Sequence, residues 1–434
     1  MKKSKSFIGC IPASIAYTLR CIKEKGYDAY LVGGCVRDTA ISRPVRDWDV
    51  ATSANPEEVA RIFAKTVPTG VRYGTVTVIL PDAAVEVTTL RADGEYSDGR
   101  RPDTIELITS LDEDLSRRDF TMNAMALSAS GEIIDPFNGL EDIKKRVIRC
   151  VGAPDVRFKE DALRMFRAYR FSAEIGFTIE QSTLAAIYAN ADRANLISAE
   201  RVRAEIEKTL VSQRPEVVAE MIEACLLNDK FGIRNSEFGI RSSSFERLAR
   251  LPVEPALRWC AFCAVLFDNG IIQSCADFLH SLRLDAKTIK NCSAGAENSR
   301  ILLQPANKCD SQNAELMSGS RKSTADAENP ENSGNEVLRI RIKRLLARYG
   351  VDAARCAAAA ADTLRAGSTL AYTDEIIASG ECFSLKELSV TGHDLIAIGY
   401  KPGPELKKML NELLEHAIEH PDDNVREALI DIVK

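Results

Sequence analysis

Two aspartates one residue apart, Asp47 and Asp49, are the strongest chemical signal in the chain. Alternate side chains on a strand face the same way, so the pattern predicts two carboxylates on one face. Such a pair binds hard cations such as Mg²⁺. Shortly before it, a strand-like segment at 29–32 runs into Gly33 and Gly34, whose open backbone N–H groups can approach phosphates at a helix start. The segment therefore indicates a nucleoside-triphosphate site for metal-assisted nucleotidyl transfer.

Each of these signals also has an ordinary interpretation. An isolated Asp-x-Asp is usually a solvated turn or strand edge, and an isolated Gly-Gly is usually a turn. Their order along the chain favours the functional interpretation: a strand, the glycine pair, Arg37-Asp38, a short helix, Arg43-Pro44, and then the two aspartates.

Arg117, Arg118, Asp119 and Asn123 form a second polar group. A guanidinium binds phosphate through a fork of two N–H groups, and Asp119 can accept hydrogen bonds from ribose hydroxyls. The alternative is an arginine pair on the surface near a helix start. Taken alone, that alternative is the better explanation.

Asp161 and Arg164 stand three residues apart in a stretch that we predict to be one helix, where they can lie side by side. Cytosine and adenine each present an exocyclic amine beside a ring acceptor. A carboxylate and a guanidinium can read those two groups together, whereas uracil and guanine present an oxygen in place of the amine. The alternative is a surface ion pair worth less than about 1 kcal/mol.

The composition is that of an ordinary globular protein with room for several domains. The chain has 434 residues, 45% of them hydrophobic, and a net charge of −6. We find neither a signal peptide nor a long apolar run, and the twelve cysteines are scattered, which predicts reduced thiols in the cytoplasm. Cys260 and Cys263 form a CxxC without a second pair or a nearby histidine, so we interpret them as core thiols.

The pattern of the chain changes near residue 150. Strand and helix signals alternate up to that point, and helical periodicity dominates after it, which predicts an α/β head followed by an all-helical arm. Residues 292–335 are rich in Ser, Asn, Gly and Glu, so we expect a disordered insertion there. A basic helix follows, and its cationic face is either solvated or a contact for RNA. That face consists of Arg339, Arg341, Lys343 and Arg344.

Taken together, the motifs resemble those of the class II nucleotidyltransferases, most closely the bacterial tRNA CCA-adding enzymes. The resemblance covers most of the chain outside 292–335. The matching segments are 31–38, 43–52, 68–70, 74–78, 86–89, 117–125, 135–139, 160–164, 197–205, 391–395 and 401–404.

The resemblance implies a polymerase-β-like nucleotidyltransferase head with a mixed sheet, followed by an all-α neck, body and tail. The implied domains are a catalytic head at 1–150, a neck with the nucleotide-selecting residues at 151–215, a body at 216–291, the disordered insertion at 292–335 and a tRNA-binding tail at 336–434.

The resemblance also implies roles for individual residues. Asp47 and Asp49 would hold the catalytic metal ions, and Glu86 would add a third catalytic carboxylate. The nucleotide would be bound by Gly33, Gly34, Arg37, Arg118, Asp119, Asn123, Asp161, Arg164, Arg167 and Arg170.

The implied activity is addition of C, C and A in turn to the 3′ end of tRNA. The substrates are CTP and ATP, pyrophosphate is released, no nucleic-acid template is used, and Mg²⁺ is the cofactor. The partner is tRNA, the location is the cytoplasm without a membrane anchor, and the oligomeric state stays open.

Four other functions compete with this one. An enzyme that adds only A stays open, whereas one that adds only CC is disfavoured because the loop at 91–103 is present. A poly(A) polymerase would carry a basic signature soon after the aspartates, where this chain reads 52–58 without one. An inactive RNA-binding protein is the weakest alternative, because Asp47, Asp49 and Arg118 are all present.

Overall fold

The computed structural model describes residues 11–94, 104–234, 242–305 and 330–434. They divide into two compact units. The first contains the chain up to residue 209 together with 220–227, and the second contains 210–219 and the chain from 228 onward.

The strands all lie in the first unit. They are β1 Ala29–Val32, β2 Asp49–Thr52, β3 Thr66–Gly70, β4 Thr75–Ile79, β5 Ala84–Thr89, β6 Arg91–Asp93, β7 Ile105–Leu107, β8 Ala126–Ser128, β9 Ile133–Ile134, β10 Val147–Ile148 and β11 Thr178–Ile179.

Helices occur in both units. Those up to the end of the neck region are α1 Ala13–Glu24, α2 Gly34–Ala40, α3 Pro56–Ile62, α4 Leu111–Ser116, α5 Gly139–Lys145, α6 Pro154–Glu160, α7 Leu163–Ile175, α8 Gln181–Ala189 and α9 Ala199–Leu210. The later ones are α10 Val218–Glu223, α11 Ser242–Glu246, α12 Pro255–Asp268, α13 Cys275–Ser281, α14 Ala286–Leu303, α15 Pro330–Tyr349, α16 Val351–Leu364, α17 Thr369–Ala378, α18 Gly392–Ala397, α19 Pro404–Glu419 and α20 Arg426–Val433.

A seven-stranded mixed sheet forms the centre of the first unit, with the order β3-β4-β5-β2-β1-β8-β9. Only β2 and β5 pair in parallel, and this pairing sets Asp49 directly beside Glu86. In β4 the buried Val76 and Val78 alternate with less buried threonines, as expected for a strand with one face in the core. The mixed sheet predicted from the sequence is therefore confirmed.

The structure corrects the predicted position of Asp47. Strand β2 begins at Asp49, so Asp47 lies in the segment before the strand rather than on one strand face with Asp49. Of the loop at 91–103, the structure describes only residues 91–94, where β6 pairs with β7 and sets Arg91 opposite Leu107. Residues 95–103 lie outside the described residues.

The predicted insertion at 292–335 is wrong at both ends. Residues 292–303 belong to helix α14, which packs against α12 and α16 and buries Cys292, Gly295 and Ala296. Residues 330–335 begin helix α15. The prediction failed because it took a scarcity of large apolar residues as a sign of disorder. The buried face of α14 consists instead mainly of small residues such as Cys, Gly, Ala and Ser, which allow helices to pack closely. Residues 306–329 lie outside the described residues.

For Arg341 and Lys343 both expectations for the basic face of α15, solvation and RNA contact, are wrong, because these two cations are buried. Lys343 is fully buried and lies 2.6 Å from Glu381 Oε2. Arg341 donates to the carbonyl of Gln304 at 2.6 Å, and Arg344 donates to Glu419 Oε1 at 2.6 Å. Arg339 also pairs with Glu381. These side chains hold the helices of the second unit together.

Among the described residues, we find no helix of the length and hydrophobicity that crossing a membrane requires.

Two neighbouring residues of α14 test whether this segment is a packed helix. Ala296 is 3% exposed, whereas Glu297 is exposed. We expect Ala296→Glu to lower the free energy of unfolding by about 3 kcal/mol or more, because it buries a charge without a partner. Glu297→Gln should change it by less than about 0.5 kcal/mol. Thermal and urea unfolding measure both free energies. Equal effects of the two substitutions would contradict the packed helix and indicate that residues 292–303 are disordered.

Candidate active site

A cleft of about 790 Å³ in the first unit is lined mainly by charged side chains. Its acidic residues are Asp38, Asp47, Asp49, Asp119, Asp161 and Glu174. Its basic residues are Arg37, Arg43, Arg46, Arg117, Arg118, Arg164, Arg167, Arg170, Arg201 and Lys208. The excess of cations suits a polyphosphate ligand, because guanidinium groups bind phosphate in a defined geometry.

Three carboxylates meet at the start of β2. Asp47 and Asp49 line the cleft, and Glu86 neighbours Asp49 on β5. The pKa of Asp49 is raised, first because the surrounding protein removes water from its carboxyl, and second because Glu86 and Asp47 repel its charge. Arg118 opposes this rise in pKa. The carboxylates thus form a locally negative point in a positive cleft.

This carboxylate group fits a hard cation. Its donors are all carboxylate oxygens, and their mutual repulsion is the condition that a bound cation relieves. The nearby Cys35 is not a competing soft ligand, since burial raises the pKa of its thiol to about 11 and keeps it protonated. The donor set therefore suits Mg²⁺ better than a thiophilic metal.

Gly33 allows Arg118 to lie against the turn that precedes α2. Gly33 has a φ of +77°, and a Cβ at that position would lie 2.9 Å from Arg118 Nη1. A side chain would therefore be strained and would displace the guanidinium. Within the described part of the chain, no group accepts a hydrogen bond from the buried Nε of Arg118.

Asp114, which the sequence analysis did not single out, holds both arginines of the 117–118 pair. Its Oδ1 accepts from Arg117 Nη2 at 2.5 Å, and its Oδ2 accepts from Arg118 Nη2 at 3.1 Å. Burial alone would raise the pKa of Asp114, but the two arginines outweigh burial and lower it. The spacing of three and four residues on a helix was the available sequence signal.

Asp119 is the centre of a buried polar network. Arg167 donates to its Oδ2 from Nε at 2.8 Å and from Nη2 at 2.6 Å. Asn123 donates to its Oδ1 at 3.0 Å and in turn accepts from Arg37 Nη1 at 2.7 Å. Burial opposes ionisation, yet Arg167 and Asn123 hold the pKa of Asp119 well below its usual range. The network joins α2, α7 and the segment between them.

Asp161 and Arg164 both line the cleft, but they do not share one helix as predicted. Helix α6 ends at Glu160 and α7 begins at Leu163, because Asp161 Oδ1 accepts from the backbone N–H of Leu163 at 3.0 Å and competes with helix continuation. Asp161 Oδ2 accepts from Arg201 Nη2 at 2.7 Å. The two residues therefore have separate supports rather than forming an ion pair.

The remaining supports of this region come from the surrounding helices. Arg164 donates to Glu160 at 2.6 Å and to the carbonyl of Arg117 at 2.9 Å. Arg170 donates to Glu205 at 2.5 Å and to Glu174 at 2.8 Å, so internal carboxylates engage its guanidinium. Segment 197–205 stood out in the sequence only as a motif, and nothing there indicated that Arg201 and Glu205 support the cleft.

The chain is similar to known proteins along most of its length. Residues 29–149 match the model described as the Poly A polymerase head domain, and residues 343–433 match that of tRNA nucleotidyltransferase domain 2. The chain is 35% identical over 398 residues to the CCA-adding enzyme of Limosilactobacillus fermentum, covering 92% of this chain and 90% of that protein. The chain belongs to the family of CCA-adding enzymes.

Two further comparisons support this membership. The CCA-adding enzyme of Geobacillus thermodenitrificans is 43% identical over 289 residues, which are 66% of this chain and 70% of that enzyme. The crystal structure of the Bacillus stearothermophilus CCA-adding enzyme in complex with CTP has a TM-score of 0.72, with 30% identity and 96% of each chain covered. The predicted family and the predicted fold, a mixed-sheet head followed by helices, are confirmed, and the chain is a tRNA nucleotidyltransferase.

The role of Asp114 in holding the two arginines can be tested by substitution. Asp114→Asn should lower the free energy of unfolding by roughly 3 kcal/mol, because it removes one side of a buried charge network. It should also weaken CTP and ATP binding alike, because Arg118 loses its support. Asp112→Asn, on the exposed side of the same helix, should leave both unchanged.

The lowered pKa of Asp114 predicts how the difference in unfolding free energy between wild type and Asp114→Asn depends on pH. The stability that the ionised carboxyl contributes is fully present above the ordinary aspartate pKa of about 3.9 and is lost as the pH falls through the lower pKa of the folded state. Unfolding measured from pH 7 downward should therefore show the difference between wild type and Asp114→Asn shrinking only under acidic conditions. A difference that is constant with pH would contradict the assignment.

Proposed function

We propose that this chain adds C, C and A in turn to the 3′ end of tRNA, using CTP and ATP and releasing pyrophosphate without a nucleic-acid template. The observation that carries the proposal is a single cleft that contains Asp47, Asp49, Arg118, Asp161 and Arg164. Carboxylates for a metal ion, cations for a triphosphate and a pair able to read a base edge therefore occur together. The complex of the Bacillus stearothermophilus relative with CTP supports the assignment of the substrate.

Asp47 and Asp49 would hold Mg²⁺, and Glu86 supports the same site from the adjacent strand. When bound, such ions activate the attacking hydroxyl and stabilise the leaving oxygens in nucleotidyl transfer. The chain itself supplies the fixed carboxylate geometry, because the parallel pairing of β2 and β5 sets Asp49 opposite Glu86.

Gly33, Gly34, Arg37 and Arg118 would bind the triphosphate. Gly33 gives the close approach, and its turn and the Arg118 side chain line the same cleft. Asp114 holds the guanidinium of Arg118 in place before the nucleotide arrives. Such preorganisation reduces the entropy that binding would otherwise lose.

Asp119 and Asn123 would contact the ribose, with Arg167 and Arg170 completing the pocket. Asp119 already accepts two hydrogen bonds from Arg167, one from Asn123 and one from the backbone N–H of Phe120. These donors fill the roughly four acceptor positions of a carboxylate. A ribose hydroxyl would therefore bind Asp119 by displacing one of them, while Asp119 orients Arg167.

Asp161 and Arg164 would read the base. The carboxylate accepts from the exocyclic amine of cytosine or adenine, and the guanidinium donates to the ring nitrogen beside it. Arg201 and Glu160 hold these two side chains, so their spacing does not depend on a nucleic-acid strand. Protein side chains would thus replace a template.

One assay separates this function from its alternatives. The protein is incubated with tRNA ending at the discriminator base, at C or at CC, each with labelled CTP or ATP. We expect CTP incorporation on the first two substrates and ATP incorporation on the third. Incorporation of ATP alone would indicate an A-only enzyme, repeated ATP addition would indicate a poly(A) polymerase, and no incorporation would indicate an inactive RNA-binding protein.

The identity of the metal as Mg²⁺ and the cytoplasmic location are part of the same proposal. The all-oxygen donor set supports Mg²⁺. The location is supported by the cysteines, since the ten that the structure describes are all free thiols.

Asp49→Asn should abolish incorporation of both CTP and ATP, because it removes a metal ligand. Binding of tRNA should survive, because the substitution leaves the helices of the second unit unchanged. Asp82→Asn, on the exposed turn between β4 and β5 of the same sheet, is the matched control. Single-turnover incorporation and a tRNA gel-shift measure the two properties. Substantial residual incorporation in Asp49→Asn would contradict the metal assignment.

Asp161→Ala should reduce the preference for CTP and ATP over UTP and GTP by roughly tenfold or more, since each good bidentate base contact contributes about 1–3 kcal/mol of discrimination. Asp192→Ala, an exposed aspartate outside the cleft, should leave the preference unchanged. The ratio of kcat/KM values for the four nucleotides measures the effect. If Asp161→Ala kept the wild-type selectivity, Asp161 would serve only to hold Arg201 and would not read the base.

A further inference from the structure

Three cysteines from distant parts of the sequence meet in the core of the second unit. Cys260 on α12, Cys292 on α14 and Cys356 on α16 bring their Sγ atoms within 4.8 Å of one another. Their exposure is 0%, 0% and 1%. Because each comes from a different helix, local spacing in the sequence does not reveal the group.

Gly295 makes this meeting possible. A Cβ on Gly295 would lie 2.6 Å from Cys356 Cβ and 2.8 Å from Cys260 Sγ, both shorter than real Cβ contacts allow. Helix α14 therefore approaches α12 and α16 at one turn where it carries no side chain. The three sulfurs are fixed by helices rather than by loops, which is the arrangement that a precise ligand site needs.

The three thiols donate to backbone carbonyls, and Cys260 and Cys292 also donate to Cys356. Cys260 reaches the carbonyl of Cys356 at 3.3 Å, while Cys292 and Cys356 share the carbonyl of Ala256 at 3.5 and 3.9 Å. A sulfur is a weak hydrogen-bond donor and acceptor, so these contacts hold the protons loosely. The thiols of Cys260 and Cys292 stabilise a thiolate at Cys356 and lower its pKa to about 5.

We propose that Cys260, Cys292 and Cys356 form a binding site for a thiophilic divalent metal ion of the Zn²⁺ and Cd²⁺ class. Soft sulfur ligands select such ions, whereas the carboxylates of the cleft select hard ones. Loss of two thiol protons leaves a neutral complex of the ion with two thiolates and one thiol, which avoids a net charge in the buried core. The site is separate from the nucleotidyl-transfer residues.

Bound metal would join α12, α14 and α16 and stabilise the fold. A ligand that binds only the native state raises its stability with ligand concentration. The site is therefore structural, and its loss should leave the four-nucleotide selectivity of the enzyme unchanged. Cys263 and Cys275 provide a comparison, because they are buried in the same unit but lie outside the three-sulfur group.

The test uses the full chain, fully reduced by a reductant that does not bind metals, with excess Mg²⁺ present. Cd²⁺ is titrated while ultraviolet absorption from thiolate-to-cadmium charge transfer is recorded, a signal that carboxylate sites do not give. We expect saturation at one equivalent and a higher thermal midpoint. Cys292→Ser should lose both effects, and Cys275→Ser should keep both.

X-ray absorption of the Zn²⁺-loaded wild type keeps the test independent of whether Cys292→Ser folds. We expect about three sulfur neighbours at about 2.3 Å, the usual Zn–S distance. The proposal is overturned if the titration shows no saturable signal, if folded Cys292→Ser binds like wild type, or if the metal has only oxygen and nitrogen neighbours.

Discussion

The pairing of Asp119 with Arg167 is the interaction on which the cleft depends. Guanidinium groups crowded into one cleft repel one another, and they stay in place only where a carboxylate or a carbonyl holds each of them. Asp119 anchors Arg167 of α7 directly and Arg37 of α2 through Asn123. The cleft is thereby assembled before a nucleotide enters, with the guanidinium of Arg118 held by Asp114.

The head was largely predictable from the sequence because its signals are local. Strand patterns located β1 and the region of β2, and the ordered motifs included Gly33, Asp49 and Arg118, which all line one cleft. What the sequence could not provide was the partner of each charge. Asp161 was predicted to lie beside Arg164 on one helix, but it accepts from the backbone N–H of Leu163 and from Arg201, a contact across forty residues.

The helical part was predicted less well, for two physical reasons. A helix that packs closely uses small residues, so the core face of α14 resembled the composition of a disordered segment. A basic helix resembles an RNA contact when the acidic residues that pair with it are unknown. Here Lys343 is buried against Glu381, which lies well beyond it in the sequence. Contacts between distant residues decide both cases, and a single sequence does not display them.

The most direct measurement is a pair of crystal structures of this chain, one with CTP and one with ATP, each with Mg²⁺. The account predicts that both bases lie on the same residues, with the exocyclic amine against Asp161 and the ring nitrogen against Arg164. Both triphosphates should lie between Gly33 and Arg118. Bases bound at different places, or a base edge that meets neither Asp161 nor Arg164, would contradict the claim that one protein surface selects C and A.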